Sequence, residues 1–162
     1  METETAIYFY SHEGHFGYMS NFYKAYFIVD GFKYFCTEQY IMKMKQELFE
    51  PDNIGLANSI RCSQNPYNIK TMGRHVKNFN ETIWRNERES IAYKGIFAKF
   101  SQNNDIKLKL LSTKNKKLYE ASKYDKIWGI GYNSDEVFNI SPTEYGENIL
   151  GKTLENVRAN LL

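Results

Sequence analysis

The stretch that most constrains this chain is Thr37-Glu38-Gln39-Tyr40-Ile41-Met42-Lys43-Met44-Lys45-Gln46-Glu47-Leu48-Phe49, whose apolar positions recur at helical spacing. Tyr40, Ile41, Met44 and Leu48 make the stripe of an amphipathic helix, and Thr37 is a natural N-cap for it. Glu38 and Lys45 lie almost in angular register beside that stripe, two helical turns apart. Helical side chains lean toward the N-terminus, so Lys45 reaches back toward Glu38. Two readings stay open from the helix alone: a pair of solvated charges bordering the core, or an acid and an amine facing a cleft.

A chain of 162 residues with 42% hydrophobic content can bury a proper core, and it reads as one domain over residues 1–162. Tyr and Phe dominate a 16% aromatic content, which serves either an aromatic core or the stacking of a planar ligand. A formal charge of +2 is too small to argue for a nucleic-acid groove and leaves room for an anionic small ligand. Cys36 and Cys62 have no CxxC spacing and no clustered histidines, so neither a metal site nor a disulfide framework is expected. The acidic, polar N-terminus is wrong for a signal peptide, and no apolar run approaches the roughly 18 residues of a membrane span. A soluble, cytoplasmic protein without a membrane partner is the expectation; oligomeric state is not legible.

Along the chain, Ala6–Tyr10 reads as a strand entering a loop with His12 and His15. Asn21, beside Phe22, is suited to capping a turn or to hydrogen-bonding a ligand. Residues 26–29 and 32–35 form a hairpin about Asp30-Gly31 and deliver the chain to Thr37. Shorter helices follow over 54–60 and from Pro66 to Gly73-Arg74, where the glycine marks a helix end. Arg74 is placed either to grip an anion or to compensate helix-end carbonyls. The longest helix runs from Thr82 through Trp84 and Arg88 to Phe100, another spans 105–111, and residues 118–122 form a strand. In Tyr124-Asp125-Lys126-Ile127-Trp128-Gly129-Ile130-Gly131, two glycines flank one residue next to an aromatic plane and a carboxylate. That is the pattern of a ligand-approaching backbone or of a tight turn holding a packed Trp. A closing amphipathic helix follows Asn148.

Ser20-Asn21-Phe22, Thr37-Glu38-Gln39-Tyr40 with Lys45, Gly73-Arg74, Trp84 with Arg88, Lys99-Phe100, the Tyr124–Gly131 run and Asn148-Ile149-Leu150-Gly151-Lys152 occur in an order that resembles the NADAR, or YbiA-like, family over nearly the whole chain. The resemblance implies a compact, helix-rich α+β single domain with a small β-sheet that hydrolyses N-glycosidic bonds without cofactor or metal. It also implies substrates in which ribose is joined to the exocyclic amine of a heterocycle. ADP-ribosylated guanine in nucleic acid is preferred to a small-molecule ribosylamino intermediate of riboflavin biosynthesis, and a non-catalytic ADP-ribose-binding module is the rival reading.

Carried onto this sequence, the resemblance makes Glu38 the acid/base, Lys45 the nucleophile or electrostatic partner, and Asp125 the group that orients ribose or activates water. Asn21, Phe22, Arg74, Trp84, Trp128, Gly129, Gly131 and Asn148 become substrate-binding, with the tryptophans stacking on the heterocycle and Arg74 meeting phosphate. The chain departs from the family pattern at Gln39, Met42-Lys43 and Ile69, which bears on substrate preference more than on catalysis.

Overall fold

The computed structural model describes Met1–Leu161 and contains six α-helices and four short strands among those residues. Its contacts divide into two units, one formed by Lys24–Asn103 and the other by Met1–Tyr23 with Asn104–Leu162. The helix-rich α+β class expected from the sequence is the one observed.

In the 24–103 unit, β2 (Phe27–Val29) pairs antiparallel with β3 (Phe32–Tyr34). Asp30 and Gly31 between them have φ of 50° and 80°, the two left-handed positions that a tight hairpin turn demands. The outer edge of β2 is closed by a side chain: Ile28 N–H donates to Gln102 Oε1, and Gln102 Nε2 donates to Ile28 O, each at 2.8 Å. A single amide thus stands in for a neighbouring strand and leaves this edge blunted.

Helix α1 (Thr37–Phe49) follows and is packed by α2 (Ile54–Cys62), α3 (Pro66–Arg74) and α4 (Glu81–Ser101). Two expectations for α1 need correction. Its N-cap is Cys36, in extended conformation, while Thr37 is already helical and completely buried. Enclosure by three helices also abolishes the single apolar stripe: Leu48 is 39% exposed, whereas Glu38, Gln39, Lys43 and Gln46 are buried. Lys43 is neutralised by Glu47 one turn on. Gln39 acts as a rivet, accepting from Phe35 N–H and donating to the carbonyls of Ile60, Arg61 and Ser63 at the end of α2.

Helix α3 ends at Arg74, where the Gly73-Arg74 signal put its C-terminus, but Gly73 does more than mark that end. It is a contact point: a Cβ there would lie 1.9 Å from Met42 Sδ on α1. Gly95 does the same for α4, where a Cβ would stand 2.4 Å from the Tyr40 ring.

In the other unit, β1 (Ala6–Phe9) and β4 (Lys117–Glu120) pair in parallel, with Ile7 opposite Leu118. Among the described residues the small β content expected from the sequence is divided between two two-stranded sheets, one in each unit. Helix α5 (Asn104–Ser112) precedes β4, and α6 (Ile149–Asn160) packs on it. Two side chains belonging to α6 and its start close the outer edge of β4. Asn148 accepts from Glu120 N–H and donates to Leu118 O, and Glu155 accepts from Leu118 N–H.

Candidate active site

In the 24–103 unit the fold brings together Glu38 and Lys45 from α1, Arg74 from the end of α3, and Glu81 and Trp84 from the start of α4. All of them bear on one ammonium group. The Lys45 Nζ sits 4.5 Å from the centroid of the Phe79 ring and 5.6 Å from that of Trp84. Among the described residues it has no hydrogen bond and no ion pair; its close partners are the two rings. Burial pushes its pKa below the ordinary lysine value, the charges of Glu38 and Glu81 pull it back up, and Arg74 presses it down. Glu38 is 8% exposed, which removes the reading of a solvated surface charge. The helical rise sets the two backbone positions about 10 Å apart, with Lys45 leaning back along the axis.

The rings are placed by the loop between α3 and α4. Lys77 N–H donates to Glu50 Oε2 at 2.7 Å, and Asn78, at φ 55°, donates through Nδ2 to Phe49 O at 3.3 Å. Phe79 then meets Phe49 edge-on at 5.3 Å between centroids. Asn80 caps α4 by accepting from Ile83 N–H at 3.0 Å. Arg88, one turn beyond Trp84 and buried, lies 3.6 Å from Glu81. Arg74 is exposed.

The remaining expected residues lie in the other unit. Asn21 is 9% exposed and its Oδ1 has no hydrogen-bond partner among the described residues, while Phe22 is half-buried beside His12. Asp125 accepts through Oδ1 from the backbone N–H groups of Ile127 and Trp128, at 2.9 and 2.8 Å, so this oxygen builds a turn. Trp128 is half-buried. Gly129 fits because a Cβ would lie 2.7 Å from Glu120 O, and Gly131 adopts φ 78°. Asn148, at φ 52°, is committed to β4 as described above. Of the two readings of this glycine-rich run, the tight turn is the one these contacts describe.

The NADAR domain family matches residues 8–162. The chain belongs to the NADAR family. Over 127 residues it is 42% identical to N-glycosidase R617 of Acanthamoeba polyphaga mimivirus, covering 78% of this chain and 74% of that protein. It is 29% identical over 160 residues to N-glycosidase YbiA of Escherichia coli K12, covering 98% and 89% of the two chains. The solved NMR structure of E. coli YbiA superimposes with a TM-score of 0.79 at 28% identity, covering 99% of this chain and 87% of that one. A Vibrio vulnificus relative called riboflavin biosynthesis protein VVA0006 is 26% identical over 98% of this NADAR chain and 39% of its own length.

Neither Phe79 nor Glu81 was singled out from the sequence of this NADAR chain. A signal for Phe79 existed: with Asn80 as N-cap, Phe79 and Trp84 occupy the positions of a hydrophobic staple at the start of α4. For Glu81 the only local signal was an acid in a first helical turn, which ordinarily means compensation of the helix dipole.

Proposed function

We propose that this NADAR chain hydrolyses the bond between the ribose anomeric carbon and an exocyclic amine of a heterocycle, with ADP-ribosylated guanine in nucleic acid as the substrate. N-glycosidic hydrolysis is the activity named in the mimivirus and bacterial relatives. The observation that carries the mechanism is Lys45, an amine half withdrawn from water, held by ring faces and lying in the field of buried Glu38. A group that only bound an anion would be better served by a fully solvated or ion-paired ammonium.

The chemistry follows from the exocyclic nitrogen. Its lone pair forms a C=N bond to the anomeric carbon as the ring C–O bond breaks, and Glu38 delivers a proton to the departing ring oxygen. Neutral Lys45 adds to that carbon. The heterocyclic amine then leaves with a proton relayed by Glu38, and the sugar remains as a Schiff base on Lys45. Water adds to the C=N bond and expels the lysine amine, so one water is consumed, free ADP-ribose is released and the guanine is left unmodified in the nucleic acid. Exposed Arg74 supplies a guanidinium for the diphosphate, and Trp84 an aromatic face for the base.

A second reading takes a ribosylamino intermediate of riboflavin biosynthesis as the substrate, favoured by the name of the Vibrio relative. Release of free sugar from ADP-ribosylated DNA and from the ribosylamine, compared side by side, separates the two. On the favoured substrate Glu38→Gln lowers kcat by about 100-fold or more. Borohydride added during turnover traps a sugar adduct in the wild type and none in Lys45→Ala. Full turnover by either variant would remove its residue from the mechanism.

A further inference from the structure

We infer that Phe79 is a positioning residue for the reaction: together with Trp84 it forms a two-walled aromatic cradle that holds the Lys45 amine in place. The inference deepens the assignment of Lys45 as the attacking amine and rests on it.

Four observations converge. The Nζ of Lys45 lies over the Phe79 ring at 4.5 Å and over Trp84 at 5.6 Å, both within the reach of a cation–π contact. No hydrogen bond or ion pair among the described residues competes for the ammonium, so the rings are what fixes its position. Phe79 itself is not free to drift, because Phe49 meets it edge-on at 5.3 Å. The chain on either side is pinned, with Lys77 N–H on Glu50, Asn78 on Phe49 O, and Asn80 capping α4. Yet Phe79 is 43% exposed. A large aromatic residue that gains so little from burial, on a loop tied down at both ends, is doing something other than filling the core.

The physical logic suits a nucleophile that must change its charge. A salt bridge would fix the amine but would also hold its proton tightly. Ring faces fix it with a weaker attraction that favours the ammonium only modestly, and they keep water from one side. The charged groups acting on Lys45 from the surrounding helices are Glu38 on α1, Arg74 on α3 and Glu81 on α4. The cradle adds directional constraint to that mixed field without adding another charge.

The test uses Phe79→Leu, which keeps an apolar side chain but removes the π face, and Phe79→Trp, which restores one. The Lys45 amine is titrated in the free protein by NMR of reductively 13C-methylated lysines, with Lys45→Arg identifying its signal. Phe79→Leu is expected to lower the Lys45 pKa by roughly half a unit, because the ammonium loses its ring partner, and Phe79→Trp to leave it near the wild-type value. In turnover the acid limb of kcat/KM shifts with the titration in Phe79→Leu, and the plateau of kcat falls several-fold while KM changes little. Identical Lys45 titrations in wild type and Phe79→Leu would overturn the cradle, as would equal shifts in the Leu and Trp variants, which would mark a packing effect. Because the titration needs no substrate, the cradle and the proposed hydrolysis fail separately: absence of turnover by wild-type protein sinks the second without touching the first.

Discussion

In the proposed reaction Lys45 attacks only as the free amine, and its charged neighbours pull on that proton in opposite directions. Glu81 favours the ammonium and Arg74 the amine, with burial the larger influence on the same side as Arg74. Single neutralising substitutions therefore move the reaction oppositely. Glu81→Gln should shift the acid limb of kcat/KM toward lower pH, and Arg74→Met should shift it toward higher pH, each by a few tenths of a unit given solvent screening at these positions. Stopped assays from pH 6 to 9 read both, and shifts of the same sign would mean that the limb belongs to another group. Gln39 shows how residue-scale meaning can be misassigned. Its departure from the family pattern suggested a role in substrate preference, but its amide is consumed by Phe35 N–H and three carbonyls at the end of α2. A side chain so fully engaged belongs to the scaffold that carries Glu38 and Lys45.

At the level of elements, α1 is held by close approaches at small residues. Gly73 lets α3 touch Met42, and Gly95 lets α4 touch Tyr40. Gly73→Ala should cost about 1–3 kcal/mol through overpacking, even though alanine is the better helix former. Met42→Ala in the same chain removes the clashing sulfur, so the double variant should be more stable than the sum of the two single losses by roughly 1 kcal/mol or more. Urea unfolding of the four proteins gives this coupling, and additive losses would show that the glycine is not a contact point. The sequence carried some of this architecture and concealed the rest. Asp30-Gly31 was readable because its turn needs two left-handed residues whatever surrounds it. The stripe on α1 was misread because periodicity describes a helix with one wet face, and this one is enclosed by three neighbours. Glu38 and Lys45 were legible from their spacing on one helix. Phe79 and Glu81 reach Lys45 only through the loop and first turn of another element, and that tertiary relation is not written in local spacing. Pairing of β1 with β4 hides for the same reason, since parallel strands are distant in sequence.

Over the whole molecule, buried ionisable groups give the stability a pH dependence with a maximum above neutrality. Lys99 is 1% exposed, and burial pushes its pKa down to about 7, with Cys36 opposing the shift. Below pH 7 both folded and unfolded chains hold this proton, and the full cost of burying the ammonium is present. Between about 7 and 9 the unfolded chain keeps the proton while the folded chain gives it up, so unfolding takes up a proton and stability rises with pH. Lys45, also depressed by burial, contributes with the same sign. The opposite linkage takes over above pH 9. Burial raises Cys36, Tyr18 and Tyr40 to about 12, so the unfolded chain loses their protons first and unfolding becomes easier as pH climbs. The expected result is a gain of roughly 2 kcal/mol in unfolding free energy from pH 7 to 9, followed by a decline. Lys99→Met should flatten the rise while leaving the decline, because it deletes the titrating amine and keeps an unbranched chain of similar length in the core. Urea titrations of both proteins at pH 6, 7, 8, 9 and 10 measure the two slopes. A wild-type curve that is level from 7 to 9, or a Lys99→Met curve as steep as the wild type, would show that another group governs the rise.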